Sequence, residues 1–465
     1  MNITIKDIIK ICNAKLIYGN EEFECTDFSK DTRTIKDGDV YIGIKGENFD
    51  GNKLYKEAFE KGASVCIVQN INIEENEYEK YKNKNLIVVE DTIEALQKIA
   101  KYKRELYKIP VIAVTGSVGK TSTKDIIASV VGVKYNVLKT QGNLNNHIGL
   151  PLTILGLKEH NALVVEMGMN NLGEISTLSK IAKPNIAVIT NVGTAHIGNL
   201  GSRENILKAK LEILDGMDEN GVLIINNDND MLQSWNCSNK KINVITYGIE
   251  NNSNVKAINI DLQESASSFD VEYNINNSKV SIENVIVPIG GTHFVYNALC
   301  AVAIGKKLNI SNEEIKNGIN NFVLSKNRME IINLKNDILL INDCYNANYD
   351  SMKAGIEYLA KTKANKKIAV LGDMLELGEI SEEAHRDIGK SVAENKVDYL
   401  FTFGEMSKLM AEEAKKNGVE AYSFDDKSEL TDLLLKTVKE NDCILFKASR
   451  GMKLEEVLHA LYEKF

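Results

Sequence analysis

Val111-Ile112-Ala113-Val114-Thr115-Gly116-Ser117-Val118-Gly119-Lys120-Thr121 is the stretch from which the rest of the chain can be read. A short β-branched run passes into a turn bounded by two glycines, then into Lys-Thr and a helical stretch to about Val131. Strand, loop and helix in that order form the setting in which a backbone cradles phosphate. The glycines let N–H groups curl inward, and the helix N-terminus adds a positive partial charge. Lys120 is then placed to neutralise β- and γ-phosphates, and the Thr121 hydroxyl to ligate Mg²⁺. The loop is the short GxxGK[ST] form, because the earlier glycine of the longer pattern falls at Val114, within the strand.

Outward from this loop the apolar runs alternate with helical stretches. Leu163–Val165, Ile186–Ile189, Val222–Ile225 and Val244–Thr246 read as buried strands of a mainly parallel sheet. Residues 250–290 are Asn- and Ser-rich, and Phe269, Val271 and Tyr273 alternate, which predicts antiparallel strands attached to this unit. Beyond residue 327, Ile338–Ile341, Ile368–Leu371, Tyr399–Phe403 and Ile444–Phe446 predict a second, Rossmann-like doubly wound unit. Before residue 109, short strands such as Val40–Ile44 and Val65–Val68 predict a small mixed α/β unit. It closes on a helix that starts at Asp91 and Glu94 and runs to Leu106. The expected fold class is α/β in three domains, 1–108, 109–326 and 327–465, the central one ATPase-like.

Composition narrows the function. The 465 residues carry 56 Lys+Arg against 65 Asp+Glu, so the net charge is −9 with no long basic run, which argues against nucleic acid as a partner. The apolar fraction of 43% is too high for a disordered chain, and no apolar run is long enough to span a membrane. The first residues lack the cleavage pattern of a signal peptide. Seven scattered Cys without a CxxC pair read as reduced thiols, so a cytoplasmic protein is expected.

Three further residues carry chemistry. Glu166 ends an apolar run, so it projects from the sheet edge where ligands bind in open α/β sheets. There it suits Mg²⁺, or is simply a solvated strand-end carboxylate. His196 leaves the same edge after Ile186–Ile189. Lys210 falls on one helical face with Leu207 and Leu214. A lysine in an apolar stripe either snorkels to solvent, which spacing alone favours, or is desolvated. A desolvated amine has a lowered pKa, is nucleophilic, and can take up CO₂ as a carbamate that Mg²⁺ would stabilise.

With these residues in view, the chain resembles the Mur ligase superfamily over its full length, and within it the branch that adds D-alanyl-D-alanine. The resemblance runs through Asp31-Thr32-Arg33, Gly46–Gly51, Thr115–Lys124, Gly142–Asn146, Glu166-Met167-Gly168, Ala195-His196 and Ala209–Glu212. It continues through Asp343–Asn348 with Asp350-Ser351-Met352, then Leu371–Gly378 and Lys447–Met452. It implies nucleotide contacts from Thr115, Gly116, Ser117, Val118, Gly119, Lys120, Thr121, Ser122, Asn297, Arg328 and Asp343. It implies metal positions at Thr121, Glu166, His196 and a carbamylated Lys210, with two Mg²⁺ expected. Lys120, His196, Lys210 and Arg328 take the catalytic positions.

Asp31, Arg33, Glu47 and Asp50 fall in the UDP-sugar segment. Asn143, Asn346, Asn348, Asp350, Lys447 and Arg450 are the remaining substrate candidates, those of the last domain on the dipeptide side. Three positions depart from the family pattern: Tyr349 stands where Pro is usual, Phe294 for a frequent Asn, and Asn327 for a frequent Gly.

The implied reaction is ATP-driven amide ligation through an acyl phosphate, joining D-Ala-D-Ala to a UDP-N-acetylmuramoyl-tripeptide, by a monomer. Two alternatives stay open at this point: a sister ligase adding one amino acid, and a nucleotide-hydrolysing switch that has no use for Lys210.

Overall fold

The computed structural model describes residues 2–69, 79–235, 242–275 and 278–465. Three large sheets and a two-stranded antiparallel pair, Ile3–Thr4 with Glu24–Cys25, organise them. Lys15–Tyr18, Asn85–Val88, Val65–Val68, Val40–Ile42 and Phe28–Ser29 form a five-stranded sheet in that order, parallel except for its first pair. The strand expected to reach Ile44 stops at Ile42. Lys45 turns back to bridge Asp50, and Asp50 caps the 3₁₀ turn Gly51–Leu54 through the Asn52 backbone N–H.

The central sheet joins nine strands among the described residues. Its order is Ser278–Val287, Ser267–Ile275, Val255–Leu262, Asn243–Gly248, Val222–Asn226, Ile186–Ile189, Val111–Thr115, Ala162–Glu166, Val137–Lys139. From Val137–Lys139 to Val255–Leu262 neighbours are parallel. The last two pairings are antiparallel, so the Asn- and Ser-rich segment extends this sheet.

Every residue of Val111–Thr115 and of Ala162–Glu166 is buried. Ile112 and Val114 belong to the core on one face of the sheet, Val111 and Ala113 to that on the other. Burial on both faces is why these strands read as unbroken apolar runs rather than alternating ones. After Val111–Thr115 the chain adds strands on one side, then crosses to Ile186–Ile189 on the other. The carboxyl ends of these two neighbours therefore flank a crevice, the usual ligand position of such sheets.

The third sheet, Glu330–Asn333, Leu339–Asn342, Cys443–Lys447, Lys367–Gly372, Tyr399–Phe403 and Glu420–Phe424, is parallel apart from its first pair. The six cysteines among the described residues are buried free thiols. Among the described residues no helix is long and apolar enough to cross a membrane.

Candidate active site

The helix Lys120–Gly132 starts at Gly119, which is left-handed (φ 80°) and supplies no side-chain cap. Its first N–H groups are thus left for an anion. A Cβ on Gly116 would lie 1.9 Å from Thr190 Oγ1, so only glycine fits against the neighbouring strand end. That neighbour holds the loop open. Ser117 N donates to Asn191 O (3.1 Å), Val118 N to Asn191 Oδ1 (2.9 Å), and Thr190 Oγ1 to Val118 O (2.7 Å). Ser117 Oγ accepts from Gly193 N (2.9 Å), and Thr115 Oγ1 donates to Met167 O (2.9 Å). Lys120 Nζ crosses the loop mouth to Gly116 O (2.8 Å). Burial lowers its pKa, with Glu166 opposing the shift and Arg328 adding to it.

Glu166 is not a solvated strand end: it is 2% exposed and accepts from Thr121 Oγ1 (2.8 Å) and Asn145 Nδ2 (2.7 Å). Its backbone N–H donates to Thr140 Oγ1 (3.0 Å). Arg328 donates to Thr121 Oγ1 (3.3 Å) and lies 3.8 Å above the centre of the Tyr345 ring, whose other cationic neighbour is Arg450 at 5.1 Å. A hydroxyl and a carboxylate at contact distance form an oxygen donor pair of the kind Mg²⁺ prefers. Among the described residues no three His, Cys, Asp or Glu side chains converge on one point. A divalent cation here would take Thr121 and Glu166 as its starting donors, with phosphate oxygens beside them and His196 on the adjoining cavity that Lys120 also lines.

Lys210 is 1% exposed, and among the described residues its amine makes no hydrogen bond or ion pair. Burial pushes its pKa well below that of a free lysine, and repulsion from Lys120 adds to the shift. It does not snorkel. The stripe expected with Leu207 and Leu214 is corrected, since the buried positions are Ile206, Ala209, Lys210 and Ile213, with Leu207 and Leu214 on the flank. The helix ends at Leu211 and tightens into the 3₁₀ turn Glu212–Gly216, which rotates the face that Leu214 would have continued.

His196 follows Ile186–Ile189 in a left-handed conformation (φ 62°). Its Nδ1 lies 2.7 Å from Glu376 Oε2, and this contact lowers the Glu376 carboxyl pKa.

The C-terminal candidates divide. Asn348 caps the helix Tyr349–Lys361, accepting from Ser351 N (2.9 Å), and reaches Ser117 O (3.5 Å). Tyr349 is thus the first helical residue, where proline is common, and the cap holds that start without one. Asp350 Oδ2 accepts from Thr194 N (3.1 Å). Asp343 takes an ion pair from Lys447 and accepts from Met329 N (3.1 Å), so these two candidates occupy each other. Asn346 and Arg450 are exposed at the cavity rim.

Asn327 adopts φ 59°, the left-handed region natural to the glycine it replaces and tolerated by asparagine. Phe294 is buried against His293, whose pKa burial depresses to about 4. Asn297 Oδ1 accepts from Thr123 Oγ1 (2.9 Å).

Three cavities line this seam. One of about 140 Å³ lies between Gly119, Ser122, Asn297, Arg328 and Asp343. One of about 70 Å³ is cradled by Ser117–Thr121 and Asn348. A third of about 230 Å³ is lined by Lys120, His196, Asn346 and Arg450.

In the first sheet's loops, Arg33 pairs with Asp31 at 2.6 Å and holds its carboxyl pKa down at about 2. Glu47 is exposed. Among the described residues no contact joins Asp31, Arg33, Glu47 or Asp50 to the phosphate loop. Asn143 is exposed, while its neighbour Asn145 turns inward to Glu166. The asparagine-rich string is visible in the sequence but does not single out Asn145, and no local pattern pairs Tyr345 with Arg328 or Glu376 with His196.

Comparison with known proteins agrees with this architecture. Residues 28–104 match the Mur ligase family catalytic domain, 114–305 the Mur ligase middle domain, and 327–450 the Mur ligase, glutamate ligase domain. The chain is 40% identical to the UDP-N-acetylmuramoyl-tripeptide–D-alanyl-D-alanine ligase of Bacillus subtilis, over 99% of this chain and 98% of that one. It superposes on MurF from Acinetobacter baumannii with a TM-score of 0.89 at 31% identity, covering 100% and 99% of the two chains. It superposes on MurF from Thermotoga maritima in complex with ADP with a TM-score of 0.80 at 28% identity, covering 94% and 97%. The chain belongs to the Mur ligase family.

Proposed function

We propose that this chain is the cytoplasmic, ATP-dependent ligase that joins D-alanyl-D-alanine to UDP-N-acetylmuramoyl-tripeptide, giving the pentapeptide, ADP and phosphate. One observation carries the reading. The Thr121–Glu166 pair and Lys120 face Arg328 and Asn348 across a single seam, in a chain whose near-full-length relatives are named for that reaction. We assign residues 1–108 to the UDP-sugar, 109–326 to ATP and 327–465 to the dipeptide.

The chemistry suits that seam. The tripeptide carboxylate oxygen attacks the γ-phosphorus as its bond to the ADP oxygen breaks. The dipeptide amine then attacks the acyl carbon, and phosphate leaves. Both reactants are anionic, so the chain's task is charge neutralisation and alignment. Lys120 and the uncapped helix N-terminus offset β- and γ-phosphate charge, and Arg328, braced on Tyr345, faces the same oxygens. Asn297 and Asp343 border the nucleoside side. Asn346, Asn348, Asp350, Lys447 and Arg450 are the candidates on the dipeptide side, where Asp343 competes for Lys447 and the Thr194 backbone for Asp350. Asp31, Arg33, Glu47, Asp50 and Asn143 are assigned to the nucleotide-sugar.

Thr121, Glu166, His196 and Lys210 would hold Mg²⁺, which supplies charge neutralisation at the transferring phosphoryl group. The low pKa of Lys210 supports carbamylation, in which the neutral amine adds to CO₂ and releases one proton. Steady-state ADP release tests the reaction. It should require both UDP-N-acetylmuramoyl-tripeptide and D-Ala-D-Ala, and ADP release indifferent to the dipeptide would refute it.

A further inference from the structure

The loop that carries His196 is gripped at two points by the C-terminal sheet's connections. Near its start, Asp350 Oδ2 accepts from Thr194 N at 3.1 Å and from Thr194 Oγ1 at 3.4 Å. A Cβ on Gly193 would lie 2.1 Å from that carboxylate oxygen, so the approach requires glycine. Farther on, Glu376 grips the loop twice. Its carbonyl accepts from Gly198 N at 3.2 Å, and its carboxylate lies 2.7 Å from His196 Nδ1. Gly198 and Gly378 approach so closely that a Cβ on either would come within 2.7 Å of the other's backbone.

Both members of the His196–Glu376 pair are left-handed, with φ of 62° and 66°. Non-glycine residues hold that conformation at a cost of about 1–2 kcal/mol, and it persists where surrounding contacts over-determine it. Two such residues in contact mark a junction built for their side chains. Nδ1 of His196 is buried and has no aligned hydrogen-bond partner among the described residues; Glu376 Oε2, 2.7 Å away, is its one ionic neighbour there.

We propose that Glu376 is a positioning residue for His196. Its carboxylate faces Nδ1 and leaves Nε2 as the ligand atom for the divalent cation. Metal-binding histidines generally present their second ring nitrogen to a carboxylate in this way, and losing that partner weakens metal binding about 10–100-fold. Because Glu376 comes from the C-terminal part, the cation site is complete only when that part is docked on the central sheet. Cation binding is thereby coupled to closure around both substrates. The inference rests on the assignment of His196 as a cation ligand.

The test uses the full chain saturated with ADP and Mn²⁺ as the probe, with free Mn²⁺ followed by electron paramagnetic resonance. Wild type is compared with His196→Ala, Glu376→Ala and Glu376→Gln, and ADP affinity without divalent cation is measured for each. H196A and E376A should both bind Mn²⁺ about 10–100-fold more weakly, while E376Q, which keeps an acceptor oxygen, recovers most of the loss. Metal-free ADP affinity should be unchanged in all. Wild-type Mn²⁺ binding by E376A beside a weakened H196A would overturn the positioning role alone. Wild-type binding by H196A would overturn the ligand assignment, and the inference with it. An equal fall in metal-free ADP affinity in E376A and E376Q would mean that Glu376 acts only in docking, and would also overturn it.

Discussion

Replacing Lys210 by methionine is expected to raise stability and lower activity in the same protein. The amine is 1% exposed, with no hydrogen bond or ion pair among the described residues, and Lys120 repels its charged form. Keeping a polar amine desolvated beside a second cation costs about 1–3 kcal/mol, and a methionine side chain at this position would fill much the same volume without that cost. In a domain of this size each kcal/mol moves Tm by about 2–4 °C.

The effect has a definite pH signature. The folded amine's pKa lies well below the free value of 10.5, so between the two the unfolded chain binds a proton that the folded chain does not. Wild-type stability therefore rises with pH through that window. The charge-dependent part of the advantage of Lys210→Met is largest on the acidic side of the window and vanishes near its upper end. Thermal melts in metal-free, CO₂-free buffer across the window measure this. Turnover with both substrates should fall about 10²–10³-fold, the usual loss when one group stabilising a transition state is removed. A variant that melts below wild type would show that the amine has a stabilising partner. One that keeps a third of wild-type turnover would remove Lys210 from the chemistry and revive the hydrolysing switch.

Glu166→Gln keeps the shape that Thr121 and Asn145 contact but removes the charge. Calorimetric ATP binding should weaken about tenfold with Mg²⁺ and be unchanged, or tighter, without it. Gly193→Ala places a methyl 2.1 Å from Asp350 Oδ2 and should cost about 1–3 kcal/mol in urea unfolding. The double variant with Asp350→Ala should recover most of that, and additivity of the two changes would show that the clash is not what matters. Arg33→Ala should raise KM for the UDP-linked substrate about tenfold with kcat unchanged, as expected for a uniform binding contact. A fall in kcat alone would refute that role.

Much of the candidate site was legible because its signals are local. The Val111–Thr115 run, the glycines at 116 and 119 and the Lys-Thr that follows are contiguous, and so is the Ala162–Glu166 strand with its terminal carboxylate. What escaped were choices between near neighbours. Asn143 and Asn145 are indistinguishable by residue type, and only the path of the loop turns Asn145 toward Glu166. Helical spacing placed Lys210 in an apolar stripe but paired it with the wrong leucines, because the turn after Leu211 tightens and shifts the buried face.

The sequence alone determined the strand–helix alternation of the main buried runs, the phosphate loop and the family's strings of residues, since each depends on side chains adjacent along the chain. Only the tertiary structure decided which of those side chains meet. It set Glu376 on His196, Asp350 on Thr194, Lys447 on Asp343 and Arg328 on Tyr345. Such pairs depend on how separately formed strands and helices pack, and packing is set by the summed fit of buried surfaces rather than by any local pattern.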